Sequence, residues 1–278
     1  MVSRLSLNVL IADDSRAVHS IFAEIAAEFT LPTRLFGAEN GRECMEALND
    51  GRINVAFIDV NMPDMSGMDA IGESRRTGSK TFVTLMSATA SKVRLQLARQ
   101  LKVYEFLAKP FAAADVLAIL QTYCRVTAPS EALIVDDSAT VRRIIRRVFE
   151  DSIFSIHSTE AADGEAALAL AKDRRYDVVF LDCNMPGLNG LETLDRLIER
   201  DPGVKVIMIS GQRNDERKRE ALDRGAAAFL YKPFTGTDID RELHAVFGLR
   251  VPQLAGIEPM KFARALPAPA MPVEVSWR

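Results

Sequence analysis

FIDVNMPDMSG, residues 57–67, is followed 123 positions later by FLDCNMPGLNG, residues 180–190. Each copy ends an apolar run on an aspartate, Asp59 or Asp182, and then breaks at Met-Pro before a glycine. An apolar run bounded by turn residues reads as a buried strand, so each aspartate falls at a strand's carboxyl end. Outward from these stretches, short apolar runs near 7–12, 33–37, 54–58, 81–86 and 104–107 alternate with amphipathic segments, and adding 123 recovers the series. Five such alternations imply a parallel sheet with helices on both faces, because crossovers between parallel strands are right-handed. The expected fold class is α/β, with two doubly wound five-stranded parallel-sheet domains in tandem, residues 1–126 and 131–247. A short linker, 127–130, holds the two close together. Residues 248–278 carry five of the 12 prolines and no periodicity, and read as an extended tail.

Composition narrows the class. The chain of 278 residues is 48% hydrophobic and 26% charged, and no apolar run is long enough to cross a bilayer. The first residues read as a strand and not as a signal peptide, so a cytoplasmic protein without membrane association is expected. Cys44, Cys124 and Cys183 fit no metal or redox spacing and read as small buried thiols. Lys plus Arg against Asp plus Glu is 14 to 14 over residues 1–126 and 17 to 22 over 131–247, which gives no basic footprint for nucleic acid. Arg142, Arg143, Arg146 and Arg147 form a local basic cluster and read as a solvated helix face. His19, His157 and His244 are scattered and read as ordinary structural residues.

In open α/β sheets the functional crevice lies at the carboxyl ends of the strands. Asp13 and Asp14 follow the first strand, Asp59 the third, Ser87 the fourth and Lys109 the fifth; the second copy supplies Asp136, Asp137, Asp182, Ser210 and Lys232. The intervals from the second acid, 45, 28 and 22 residues, are identical in the two copies. A lone aspartate at a strand end is usually a turn residue, but two full sets in register are not coincidence. Three clustered carboxylates repel unless a cation sits among them, and an all-oxygen set suits Mg²⁺. Asp59 or Asp182 can then act as nucleophile toward phosphorus, with a lysine ammonium and the metal neutralising the phosphoryl oxygens. Ser87 or Ser210 can turn a hydroxyl toward one of those oxygens.

These motifs, LIADDS, FIDVNMPDMSG, MSA and FLAKPF with LIVDDS, FLDCNMPGLNG, ISG and FLYKPF, resemble two receiver domains of the bacterial response-regulator family, over residues 5–247. The resemblance implies the flavodoxin-like receiver fold, with Asp59 and Asp182 as phosphoacceptors served by a histidine kinase or a histidine phosphotransfer protein. It implies one Mg²⁺ per domain, held by Asp14 or Asp137 directly, by Asp13 or Asp136 through water, and by the backbone carbonyl of Asn61 or Asn184. Lys109 and Lys232 would hold the phosphoryl group, Phe106 and Phe229 would be aromatic rotamer switches, and Lys109-Pro110 and Lys232-Pro233 would be cis. One departure stands out: Lys102 and Val103 precede the first copy's fifth strand where the second has Gly225 and Ala226, so the first domain's loop is expected to be stiffer or differently placed.

A phosphohydrolase of the haloacid dehalogenase type is the rival reading, but it places an acid two residues after its nucleophile, where this chain has Asn61 and Asn184. Turnover of an external substrate is therefore not expected, beyond self-catalysed phosphotransfer and slow loss of the chain's own phosphate. The residues from Gly248 are too few and too rich in proline for a helix-turn-helix domain. Output through a protein partner, or a reservoir role in a phosphorelay, is the expectation. Ser91 and Asn214 read as N-caps of helices over 92–101 and 215–224. There Val93, Leu95, Leu97 and Leu101 replace Glu216, Lys218, Glu220 and Arg224. A stripe of Val93, Leu97 and Leu101 points to a dimer or inter-receiver interface, unless a register shift returns it to its own core.

Overall fold

The computed structural model describes residues 6–89, 91–252 and 254, and the backbone of 275–276. Contacts divide the chain into two units, Met1–Thr127 with Pro252–Arg278, and Ala128–Val251. In the first, β1 (Leu7–Ala12), α1 (Arg16–Glu28), β2 (Thr33–Ala38), α2 (Gly41–Asn49) and β3 (Val55–Asp59) lead into α3 (Gly67–Arg76). Then come β4 (Phe82–Ser87), α4 (Lys92–Gln100), β5 (Glu105–Ala108) and α5 (Ala113–Thr127). The second repeats the series as β6 (Ser130–Val135), α6 (Ala139–Asp151), β7 (Ile156–Ala161), α7 (Gly164–Asp173), β8 (Val178–Asp182) and α8 (Gly190–Arg200). It ends with β9 (Lys205–Ser210), α9 (Asp215–Asp223), β10 (Ala228–Tyr231) and α10 (Gly236–Val246).

All strand pairs are parallel, in the orders β2-β1-β3-β4-β5 and β7-β6-β8-β9-β10. The order follows from the sequence: β1, β3 and β4, like β6, β8 and β9, are almost wholly buried and carry the continuous apolar runs of central strands. Each sheet has aromatic packing at its core, Phe22 on Phe57 with ring centroids 4.8 Å apart and Phe149 on Phe180 at 5.2 Å. Ser91 and Asn214 cap α4 and α9 as expected, accepting from the backbone N–H of Arg94 and Arg217.

Three details depart from the sequence reading. The first sheet gains a sixth strand, β11 (Val275–Ser276), paired parallel with β2, so part of the tail completes an edge whose N–H and C=O groups would otherwise be unpaired. Leu254 is fully buried in the first unit's core. The rest of the tail reading lies outside the described residues. The proposed stripe on α4 does not hold together either. Leu101 and Leu95 pack, partly buried, on the first unit's own core, while Val93 and Leu97 are 73% and 41% exposed. Leu101, the C-cap residue just past the helix, turns inward with no shift of register, since the matched Ala98 and Ala221 are both fully buried.

The departure at Lys102 has a physical basis. Lys102 adopts φ 54°, a left-handed backbone that favours glycine, and the matching Gly225 adopts φ 100°. In the first unit Arg75, half-buried, donates to the carbonyls of Leu101 (3.1 Å), Ser79 (2.8 Å) and Thr81 (2.9 Å), tying the turn from α4 into β5 to the loop between α3 and β4. Burial pushes this guanidinium down to about 10, so it stays charged at neutral pH. The second unit has Ile198 at the Arg75 position, and its turn relies on Gly225.

His244, read as structural, is buried on α10, donates from Nδ1 to the Asp240 carbonyl at 2.7 Å and meets Phe154 edge-on. Burial holds its imidazolium below the ordinary 6.5, against the opposing pull of the Asp240 carbonyl. In the window below about 6.5 the unfolded chain binds a proton that the folded chain resists, so this contribution to stability is complete above that value and is lost as pH falls. Asp240, raised by burial, acts in the opposite sense, contributing less as pH rises from 3.8. Urea unfolding of the full chain at pH 5 to 7.5 is expected to show stability rising with pH, with a smaller rise in His244→Gln; equal slopes would exclude His244 as the source.

Candidate functional site

Both sheets end in the same arrangement. Asp13 follows β1, and its Oδ1 accepts the Ser15 N–H at 3.0 Å. Its Oδ2 lies 2.5 Å from the Lys109 ammonium, which also stands 3.2 Å from Asp59 Oδ1. In the second unit Asp136 accepts from Ser138 N–H at 2.9 Å, and Lys232 lies 2.7 Å from both Asp136 and Asp182. Asp13, Asp59, Asp136 and Asp182 are buried; Asp14 and Asp137 are exposed. Lys109-Pro110 and Lys232-Pro233 are cis, as the resemblance implies.

Asp59, Asp182, Lys109 and Lys232 all shift the same way. Burial raises the Asp59 and Asp182 carboxyls, and the lysines only partly offset this. Burial pulls the Lys109 and Lys232 ammoniums down, but their two carboxylate partners outweigh it and the net shift is upward. An acid and a base shifted together toward their protonated forms mark a place that favours more positive charge than one lysine supplies. In the first unit oxygens of Asp13, Asp14 and Asp59 come within 4.8 Å of one another, an all-oxygen set that fits a hard divalent cation such as Mg²⁺. Among the described residues the corresponding second-unit acids do not form such a group, although the buried Asp136 and Asp182 keep the same relation to their lysine.

The remaining expected residues gather at the same strand ends. Ser87 and Ser210 are buried, and each hydroxyl is turned to its own loop, donating to the Thr89 or Gln212 carbonyl at 3.1 Å. Asn61 and Asn184 are exposed at the rim, and Asn184 N–H donates to Asp182 Oδ2 at 2.7 Å. Phe106 and Phe229 are buried in the cores of their units.

Sequence reasoning missed five contributors. His19 and Arg142 occupy matched positions and both hold the carbonyl of the first acid, His19 through Nε2 to Asp13 and Arg142 through Nη1 to Asp136, each at 2.7 Å. Arg142 and Arg146 also pair with Glu160, at 3.1 Å each, so the basic cluster is not simply a solvated face. Arg94 and Arg217, matched on α4 and α9, reach back to Asn61 and Asn184.

The family model of the response regulator receiver domain matches twice, over residues 9–121 and 132–244. Protein CcdB of Bacillus subtilis is 38% identical over 119 residues, which is 43% of this chain and 98% of that protein. Chemotaxis protein CheY-3 of Vibrio cholerae is 36% identical over 118 residues, 41% of this chain and 89% of its own length. A solved structure described as a two-component system response regulator/GGDEF domain protein covers 87% of this chain and 99% of its own, with a TM-score of 0.59 and 22% identity, a likeness of fold.

Gly67 and Gly190 open the helices that follow Asp59 and Asp182. A Cβ on Gly67 would fall 2.1 Å from the Asp59 carbonyl oxygen, and one on Gly190 would fall 2.2 Å from that of Asp182. Because the obstacle is backbone, an added methyl must displace the aspartate itself. Gly190→Ala is expected to destabilise the second unit by about 1–3 kcal/mol in urea unfolding. Gly236→Ala, whose Cβ would meet Val148 at an ordinary 3.7 Å, should change stability little. Equal effects would mean the close approach at Gly190 is not a constraint.

Proposed function

This chain belongs to the response regulator family, and from that premise we propose that Asp59 and Asp182 are both phosphoacceptors, supplied by a histidine kinase or phosphotransfer protein, with output through a protein partner. The observation that carries the reading is the doubled bridge in which Lys109 and Lys232 each hold two buried carboxylates at matched strand ends. A carboxylate oxygen of Asp59 or Asp182 forms a bond to phosphorus, the bond from phosphorus to the donor imidazole nitrogen breaks, and that nitrogen leaves with its electron pair. The lysine, already between two acids, is placed to trade one of them for a phosphoryl oxygen. Ser87 or Ser210 gives up its bond to its own loop to donate to another oxygen. That exchange links the chemistry to the loop after β4 or β9, and Phe106 or Phe229 on the neighbouring strand can repack in response.

Asp13, Asp14, Asp59 and the Asn61 carbonyl would hold one Mg²⁺, and Asp136, Asp137, Asp182 and the Asn184 carbonyl a second. The ion supplies charge neutralisation on the phosphoryl oxygens. No external substrate is turned over in this reading, because a neutral amide stands where a hydrolase needs an acid two residues after the nucleophile. No helix among the described residues is long and apolar enough to cross a membrane.

Phosphodonor labelling of Asp59→Asn and Asp182→Asn should leave one modifiable aspartate in each, the double variant should take no label, and chelation of Mg²⁺ should abolish labelling. A single variant that is already silent would reduce the other unit to a scaffold. Amide shifts during Mg²⁺ titration should fall into two sets, one in each unit; one set only would assign the ion to a single receiver.

A further inference from the structure

The two arginines that reach the acceptor loops form a device at the site. Asn214 caps α9 by accepting the Arg217 N–H at 3.0 Å, which fixes Arg217 in the first turn with its side chain directed back over the end of β8. Its Nη1 donates to Asn184 Oδ1 at 2.6 Å and its Nη2 to the Cys183 carbonyl at 3.3 Å. Asn184 in turn donates its backbone N–H to Asp182 Oδ2 at 2.7 Å. Asn184 therefore links α9, through its side-chain oxygen, to the Asp182 carboxylate, through its backbone N–H. The first unit repeats it more loosely: Ser91 accepts the Arg94 N–H at 3.3 Å, and Arg94 Nη2 stands 3.5 Å from Asn61 Oδ1. Its Nη1 is committed to Thr89, at 3.1 Å from Oγ1 and 3.5 Å from the carbonyl.

The duplication argues against an incidental contact. Around this arginine the helices have diverged, with Val93, Leu95 and Leu97 facing Glu216, Lys218 and Glu220 across the offset. Arg94 and Arg217 stay the same, are half-buried in both units and seek the same oxygen.

We propose that Arg217 is a positioning residue that sets the lifetime of the acyl phosphate on Asp182, by occupying the Asn184 carboxamide oxygen, and that Arg94 does the same more weakly for Asp59. This rests on the phosphoacceptor reading. Loss of the phosphoryl group requires a water oxygen to bond to phosphorus while the bond from phosphorus to the Asp182 carboxylate oxygen breaks; inorganic phosphate leaves and the carboxylate is restored. The attacking water must be oriented by an acceptor. Asn184 Oδ1 lies two residues beyond the acceptor aspartate, on a loop already bonded to it. While a guanidinium donates to that oxygen, one of its two lone pairs is taken and the carboxamide is tied to α9, so it is less free to turn and orient a water. A charge-assisted bond of this kind is stronger than an amide–water bond, so the carboxamide stays engaged.

The test is a pulse of phosphodonor label on the full chain carrying Asp59→Asn, removal of the donor, and measurement of label lost with time. Arg217→Ala should shorten the half-life at least threefold and Arg217→Lys by less, since lysine keeps the charge but has no planar two-donor fork. The shortening should vanish in an Asn184→Ala background, where no carboxamide oxygen is left to free. Arg94→Ala, followed on Asp59 in the Asp182→Asn chain, should shorten the half-life less than Arg217→Ala does for Asp182. A change below twofold in Arg217→Ala, a lengthening, or a shortening that persists without the Asn184 side chain overturns the proposal. If Arg217→Ala fails to fold, the comparison of Arg217→Lys with and without Asn184→Ala decides by the same criterion. The arginine Nε–H resonance of Arg217, followed with and without Asn184→Ala in unlabelled chain, reads the contact independently of phosphorylation: an unmoved signal counts against it. A parent chain that takes no label at all sinks the phosphoacceptor reading itself, an outcome distinct from normal labelling with unchanged lifetime.

Discussion

Everything at the strand ends turns on one ammonium held between two buried carboxylates. Lys109 and Lys232 each neutralise about half of the charge that the fold brings together, and the second acid of each pair, Asp14 or Asp137, adds one more negative group at the exposed rim. Burying carboxylates is expensive unless they are paired, and one pairing is not enough for this many. The parallel sheet enforces the crowding, because successive strands deliver their carboxyl ends to one edge and the turns there are too short to spread the charges. A site built in this way carries more negative than positive charge, a balance that a hard divalent cation would restore. The glycines that open α3 and α8 belong to the same constraint, since they let helix backbone approach the backbone of Asp59 and Asp182 within a distance that no side chain permits.

Much of this was legible in the sequence because the repeat acts as an internal control. A single aspartate after an apolar run carries little information, but the identical intervals between Asp14, Asp59, Ser87 and Lys109 and between their counterparts separate chemistry from turn composition. Strand positions came out within a residue for the same reason, as burial on both faces writes itself as continuous apolar runs. What could not be read depends on where long side chains end. Arg94, Arg217 and Arg142 look like ordinary helix-surface residues in the sequence, and only their rotamers bring them to an amide or a carbonyl one loop away. Arg94 and Arg217 did leave a trace, as a residue unchanged by the offset amid neighbours that reversed their polarity. Leu101 and Leu254 show the converse difficulty: an apolar residue announces that it will be covered, not by what, and both are taken up by the first unit's core.

The two copies share a site and differ in its surroundings. In the first, three carboxylates converge, a histidine supports the first acid and a loosely held arginine faces the rim. In the second, an arginine bonded to Glu160 supports that acid, and the rim arginine is held at 2.6 Å. The arginine that supports the second unit's first acid has its charge balanced by Glu160, so the two units differ in how these groups are held more than in net charge. The same set of acids, serine and lysine thus stands in unlike electrostatic settings in the two units.

The turn between α4 and β5 carries a consequence for the chain's history. Lys102 sits in a backbone region meant for glycine, with Arg75 binding the carbonyls around it, whereas the second copy solves the same corner with Gly225 and fills the Arg75 position with Ile198. Order matters in converting one to the other: isoleucine at 75 would leave those carbonyls without their donor while Lys102 kept its left-handed backbone, and a Cβ at 225 would meet the end of the Ile198 side chain at 2.9 Å. The halves of this duplication have become interlocked pairs rather than spare parts. Exchanging single helices between them would join a key to the wrong lock, while exchanging α3 together with the α4 corner would transplant a working unit.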